Sequence, residues 1–557
     1  MSRNYDVAVI GGGPAGSTLG TLLKKYSPQL TVAIFEREQF PRDHVGESHL
    51  PAISGILNEM GVWDKVEQAD FPIKIGGTYR WGATDDLWDL EFLSGQEFLD
   101  APRPSRFEGQ RRQTAFQVDR SIYDTILLDH AASLGCEVFQ KRSISKVQVD
   151  GDKVIGLITA SAAAGDDEVT AKYYVDCTGD SGLLRRALGI KTDSPTALRN
   201  IAIWDYWQDA EWAVTLGTGG TRIQVMSLGW GWLWFIPISK TRTSVGLVLP
   251  ATYYKASGKS KEQIYADAIS AEPLISKLLA HATAEGNIQA TKDWNFISEQ
   301  MAGDNWFLAG DSCGFADPIL SAGMTLAHTS ARKVAYSILE LERGLLDPGW
   351  IKREYTSGHS AQIRHHMQFA DYWYSSNGKF TDLKEYCTEI SKSAGLSLDA
   401  DGAFRWLATG GFALEEPGSA GALSYRVLGL KSVTKHLAGQ EPTWDVTKTN
   451  LWLPALRDVV EEKMPLYRNG RIEPIRCYRK GAKVLPLTGM FKHAMEAVKA
   501  YPESTAAFAR CVDTISEREG LPHQESIFRA LETFEALLAE GWIKGKALAG
   551  RPFLTID

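Results

Sequence analysis

"YDVAVIGGGPAGSTLGTLLKKY", residues 5–26, is an apolar strand, a glycine turn and a helix in immediate succession. Gly11, Gly13 and Gly16 satisfy the GxGxxG pattern: the first for a tight turn, the second for close approach of a pyrophosphate, the third for helix-on-strand packing. The helix start, with Ala15 in its first turn, then turns its amides and positive dipole end toward the phosphates. A second strand follows in "LTVAIFERE" and ends at Glu36, where a carboxylate can accept from ribose hydroxyls. The order of strand, turn, helix, strand and terminal acid predicts a dinucleotide-binding α/β fold, with FAD and NAD both open at this point.

Two further stretches favour FAD. "FPRDHVGES", residues 40–48, follows the acid, and "NWFLAGD", residues 305–311, places Asp311 after a distant strand. A nicotinamide dehydrogenase has no need of that second loop, whereas in two-dinucleotide-fold flavoproteins such an aspartate reaches the ribityl chain.

At 557 residues the chain exceeds one ordinary core, so two or three domains are expected. Hydrophobic residues at 44% and charged residues at 23% are those of a globular protein, and a net charge of -8 excludes an electrostatic basis for binding nucleic acid or an anionic membrane. No apolar run reaches membrane-spanning length, and the N-terminus enters a strand directly, without a signal-peptide pattern. The six cysteines are scattered without a CxxC pair, which argues against a zinc site or a disulfide framework and fits a reducing cytoplasm.

"GWGWLWFIPI", residues 229–238, reads as a strand with Trp230, Trp232, Trp234 and Ile236 on one face. Aromatic packing in a core strand accounts for it equally well. "DFPIKIGGTYRWG", residues 70–82, sets Lys74 in a strand-like context, where a solvated strand face is the ordinary position for a lysine.

The set GGGPAG at 11–16, FPRxxxGES at 40–48, QVDRSIYD at 117–124, VDCTGDSG at 175–182 and GDS at 310–312 resembles the FAD-dependent monooxygenase superfamily over roughly residues 5 to 340. Within it, WxWxIP at Trp232, Trp234, Ile236 and Pro237, followed by FxxPxxSxG at Phe315, Pro318, Ser321 and Gly323, resembles the flavin-dependent halogenases. The resemblance implies FAD used as FADH2 and supplied by a separate flavin reductase, with O2 as co-substrate and chloride or bromide as halogen source. It places Arg42, Ser48 and Arg120 beside the cofactor and halide on the amides of Ala322 and Gly323 next to Ser321. Lys74 matches the family's catalytic lysine, which either hydrogen-bonds hypohalous acid or forms a haloamine. Trp232 and Trp234 would then wall the organic substrate off from the flavin-borne oxidant, although they could equally stiffen the sheet. Tryptophan halogenases carry a glutamate just before the serine of the third signature. Leu320 stands there in this chain, which points to the phenol-directed branch and to a phenolic substrate, free or tethered to a carrier protein, in secondary-metabolite biosynthesis.

The expected architecture is an α/β core over 1–375, followed by a mostly helical domain over 376–557. FAD-binding segments fall near 1–50, 110–190 and 300–345, and a substrate-side sheet near 70–110 and 195–295. His359, His365 and His366 lack the i, i+4 spacing of a helical metal pair and read as packing or solvent-facing. The closing helices with "EGWIKG" suggest a winged-helix-like module acting as a lid or a carrier-docking surface. An NADPH-dependent aromatic hydroxylase and a non-catalytic flavin-binding protein are the competing readings.

Overall fold

The computed structural model describes residues 3–82, 84–160, 167–292, 295–377, 445–481 and 483–555. The chain divides into two compact units, Met1–Leu396 and Ser397–Asp557. The stretch 377–440, expected as short helices and loops, lies outside the described residues apart from Asn377.

The first unit holds two sheets. In the seven-stranded one, Glu137–Phe139, Val32–Phe35, Arg3–Ile10 and Asp167–Asp176 lie parallel in that order, and Trp306–Leu308 pairs parallel with Asp167–Asp176. Val32–Phe35 is buried throughout, as is the end of Arg3–Ile10, because parallel strands covered on both faces read as unbroken apolar runs. The helix Pro14–Tyr26 packs on the long helix Ala322–Arg343, which brings segments about 300 residues apart together.

The nine-stranded sheet runs Thr283–Ala284, Asn200–Gln208, Arg242–Pro250, Trp232–Pro237, Gly220–Ser227, Ile73–Arg80 and Leu87–Glu91. Gln289–Lys292 lies beside Asn200–Gln208, and Ala115–Phe116 beside Ile73–Arg80. One face buries Leu233, Phe235, Val245 and Leu247 under Ile264, Tyr265 and Ile275 of two short helices. Trp232 and Trp234 take the opposite face by alternation.

A bulge determines which face the lysine joins. Thr221 is opposite Lys74, but Arg222 is opposite Gly76, so Ile75 is an extra residue. Plain alternation would put Lys74 with Gly76 and Thr78; the bulge turns it to the side of Tyr79, whose neighbours across the sheet are Val225 and then Trp234. The indole row is shorter than expected. The tryptophan strand begins at Trp232, after a turn closed by Leu228 N donating to Gly231 O at 2.7 Å. Trp230 lies outside the strand, stacks on Tyr253 at 5.2 Å and packs with the Leu233 face.

In the second unit the helices Gly489–Ala500, Ser504–Glu519 and His523–Ala539 enclose a core with Trp452, Phe534 and Trp542. "EGWIKG" supplies the strand Ile543–Lys546, antiparallel to Leu451–Pro454. A three-stranded sheet of Val460–Arg468, Arg471–Lys480 and Lys483–Pro486 was not expected, yet its first turn is signalled by Asn469–Gly470, both at positive φ (48° and 70°) as a tight hairpin turn requires.

Candidate active site

The glycine turn is built on steric need. Gly11 sits at φ 106°, and a Cβ there would run into the Cys177 carbonyl at the end of the neighbouring strand. Glu36 closes the turn from the other side, its Oε2 accepting from Gly12 N at 2.7 Å and its Oε1 from Glu38 N at 2.9 Å. The helix that follows has Gly13 as N-cap and no side-chain cap, so its first amides face the turn unused by side chains. Gly310, at φ 69°, approaches Ala15 so closely that a Cβ would lie 3.2 Å from that of Ala15, which seats the Gly310–Ser312 turn against the helix start. Asp311 on that turn accepts no hydrogen bond among the described residues, and burial pushes its carboxyl up to about 7 despite the nearby Arg120 charge. An uncapped helix start, a glycine turn and an unpaired acid match the phosphates and ribityl hydroxyls of FAD.

The segment 40–48 is anchored by a carboxylate that the sequence reasoning passed over. Asp124 accepts from Arg42 at 3.1 Å and takes Arg120 at 2.7 and 2.9 Å as a bidentate i, i+4 pair. Arg120 also donates to the carbonyls of Val45 (3.0 Å) and Gly46 (3.2 Å). The signal was available, since Asp124 ends the QVDRSIYD motif one helical turn after Arg120. Glu47 is fully enclosed and accepts from Tyr206 at 3.0 Å; burial raises its carboxyl to about 7.

Lys74 is 2% exposed. Its ammonium donates to Ser48 Oγ at 2.7 Å and Ser321 Oγ at 3.3 Å, and lies 5.4 Å from the centre of the Phe92 ring. Burial, with no carboxylate partner among the described residues, lowers it to about 7. One side chain thus joins three separate sequence regions: the GES segment, the lysine strand and the FxxPxxSxG loop.

Ser321 is held in the left-handed region at φ 58°, uncommon for a non-glycine residue, and opens the helix Ala322–Arg343 without capping it. The first-turn amides of Ala322 and Gly323 have no acceptor among the described residues. Gly323 has a packing reason: a Cβ there would lie 2.6 Å from the Phe315 ring, so the first and last positions of FxxPxxSxG are one contact.

Trp232 and Trp234 have defined partners. Trp232 Nε1 donates to Tyr374 OH at 2.7 Å, and Tyr374 donates to Asp317 at 3.3 and 3.4 Å. Asp317 in turn accepts from Ile319 N at 2.9 Å, just before Ser321. Trp234 Nε1 donates to Ser244 Oγ at 3.0 Å, and its ring lies over Gly246, where no Cβ would fit. Tyr374 belongs to the helix Pro348–Ser375, of which only the histidines were singled out from the sequence. His359 and His366 on the same helix are buried and lowered to about 3 and about 4, while among the described residues no cluster of three or more metal-ligating side chains occurs.

Fold and site together define an FAD-dependent oxidoreductase. Residues 4–370 match the family model described as FAD binding domain. A chlorinase of 1H-pyrrole-2-carbonyl peptidyl-carrier protein from Pseudomonas fluorescens is 33% identical over 349 residues, 61% of this chain and 76% of that protein. Tryptophan 2-halogenase from Chondromyces crocatus is 33% identical over 351 residues, 62% of this chain and 63% of the relative. The crystal structure of CmlS, a flavin-dependent halogenase, shares the fold with a TM-score of 0.72 and 23% identity, over 100% of this chain and 98% of that one. The chain belongs to the FAD binding domain family and, within it, to the flavin-dependent halogenases. It uses FAD and halide accordingly. Among the described residues no helix is long and apolar enough to cross a membrane.

Proposed function

We propose that residues 1–375 carry out halogenation of an electron-rich aromatic, a phenol in free or carrier-tethered form, with Lys74 delivering the oxidised halogen. The observation that carries this reading is the buried Lys74 between Ser48 and Ser321. In this assignment Gly11, Gly13, Ala15, Gly16 and Glu36 hold the nucleotide end of FAD, Arg42, Ser48 and Arg120 border its path, and Asp311 accepts from the ribityl chain. FAD, delivered reduced by a separate flavin reductase, supplies the electrons with which O2 oxidises halide. The amides of Ala322 and Gly323 hold chloride or bromide at the helix start. Lys74, as ammonium, donates to the oxygen of hypohalous acid and makes its halogen more electrophilic. Transfer breaks the O–X bond and forms the C–X bond, and the ring proton leaves with the hydroxyl oxygen as water.

Leu320 in place of a glutamate favours an acceptor that brings its own electron density, and the carrier-protein substrate in the chlorinase's name favours a tethered one. The five free cysteines among the described residues fit a reducing cytoplasm. Trp232 and Trp234 are assigned to holding the lysine face in shape, with any barrier to the organic substrate following from that. The test is mass spectrometry of simple phenols incubated with the protein, FAD, a flavin reductase, NADH, O2 and bromide. A bromine isotope doublet that vanishes in Lys74→Ala supports the reading; addition of oxygen alone refutes it.

A further inference from the structure

Ser48 forms an isolated antiparallel bridge with Gln117, and Gln117 N donates to Pro72 O at 3.0 Å. One step on, Ile73 pairs with Phe116 and Lys74 with Ala115. Residues opposite one another in an antiparallel pair share a face, with Cβ atoms roughly 5 Å apart, and alternate residues of a strand do so too. Ala115 and Gln117 therefore stand on the side of Lys74 and Ser48, while Phe116 and Val118 enter the core of the FAD-binding fold. Gln117 is 0% exposed, and neither its amide nitrogen nor its amide oxygen has a hydrogen-bond partner among the described residues. Leaving both ends of a buried amide unpaired costs stability, and on the sheet face that carries Lys74 a bound ligand would satisfy it.

The chemistry around it narrows the ligand. Lys74 offers donors only, and the Ser48 oxygen already accepts from it. What this corner lacks is a neutral acceptor, which the Gln117 carbonyl supplies. A halide ion has no hydrogen to donate, so it could meet only the Nε2 donors and would leave Oε1 unpaired, and an aromatic ring is too large for so enclosed a group. Hypohalous acid is small, accepts at oxygen and donates through O–H.

We propose that the Gln117 carboxamide is a binding contact for hypohalous acid, its Oε1 accepting the acid's O–H while Lys74 donates to the same oxygen, so that the halogen end is left directed at the organic acceptor. This rests on the halogenation reading above. It assigns the first residue of the QVDRSIYD segment a role separate from that of Arg120 in the same segment.

The test is Gln117→Met, which keeps length and removes both polar atoms, with Gln117→Asn as a second variant that keeps the amide but shortens its reach. Four quantities are compared with wild type: melting temperature of the apo chain, FAD affinity, halogenated product, and oxidising halogen trapped by a thiol scavenger. The Met variant is expected to melt about 2 to 4 °C higher, since an unpaired buried amide is gone. FAD affinity should stay within about twofold, while organic product falls on the order of tenfold or more and scavenger oxidation rises as the acid escapes. The Asn variant should lose product without the gain in melting temperature. Unchanged product in Gln117→Met overturns the proposal. So does a lower melting temperature, which would reveal a structural partner, or weakened FAD binding, which would make the flavin the amide's partner. The last two outcomes need no turnover, so they are distinguishable from failure of the halogenation reading, which the wild-type and Lys74→Ala products decide.

Discussion

Replacing Lys74 by methionine should remove halogenation and at the same time stabilise the protein, and the two effects have one cause. Burial lowers the ammonium from its ordinary 10.5 to about 7, which corresponds to about 4 to 5 kcal/mol of desolvation penalty on the charged form. Methionine has nearly the same length and carries no charge. It forfeits the hydrogen bonds to Ser48 and Ser321, each worth about 1 kcal/mol, which leaves a net stabilisation on the order of 2 to 3 kcal/mol at neutral pH and below. The pH dependence has a definite sign. Between about 7 and 10.5 the folded chain binds fewer protons at Lys74 than the unfolded chain does, so wild-type stability rises with pH there. The advantage of the variant is therefore complete below about pH 7 and fades toward the ordinary lysine value. Urea titrations of both apo proteins, followed by tryptophan fluorescence from about pH 6 to about pH 10, measure this gap. A gap independent of pH, or a variant less stable than wild type at neutral pH, would refute the claim that Lys74 is a buried, uncompensated cation. In the proposed assignment the ammonium is the form that donates to hypohalous acid, so wild-type turnover should also decline as pH rises through about 7; a rise would favour the haloamine route.

Gly323→Ala places a methyl group 2.6 Å from the Phe315 ring, so it should destabilise by about 1 to 3 kcal/mol and raise the bromide KM, read by thermal melts and halide titration. Trp234→Phe loses the bond to Ser244 and part of the packing over Gly246; the expected result is a lower melting temperature with product still halogenated, and hydroxylated product would show the indole to be a chemical barrier instead. For Glu47, raised from 4.5 to about 7, the folded chain binds more protons than the unfolded chain in that interval. Wild-type stability relative to Glu47→Gln should therefore fall as pH rises from about 4.5 to about 7, which paired denaturant titrations would detect.

How much of this was legible in sequence depended on whether a residue's role is local. The glycine turn and Glu36 were readable because spacing along one strand–turn–helix–strand unit determines their geometry, and the strand before Asp311 because its short apolar run ends directly in a glycine turn. Lys74 was readable only through its likeness to a family motif. Alternation along Ile73–Arg80 assigns it to the wrong face, and the bulge at Ile75 that corrects this depends on pairing with a strand about 150 residues away. Trp230 leaves the row for a similar reason: alternation holds only within the strand, which begins at Trp232 after the Leu228–Gly231 turn. The hairpin at Asn469–Gly470 was within reach, since that dipeptide between β-prone runs is among the strongest local signals.

The two halogenase signatures look independent in the sequence, about 80 residues apart, but they are one device in the fold. Trp232 reaches Tyr374, Tyr374 reaches Asp317, and Asp317 fixes the Ile319 amide in the turn that leads into Ser321. Ser321 then accepts from Lys74, which stands on the same sheet face as Trp232. The chain of contacts therefore closes a circuit from the tryptophan strand through a helix and the FxxPxxSxG loop back to the sheet. A tryptophan at 232 is required there less for its bulk than for an N–H at the end of a long, rigid side chain, since phenylalanine could fill the space but leave Tyr374 without its donor. Both signatures must therefore be present for the lysine, the serine and the helix start to hold their positions relative to one another.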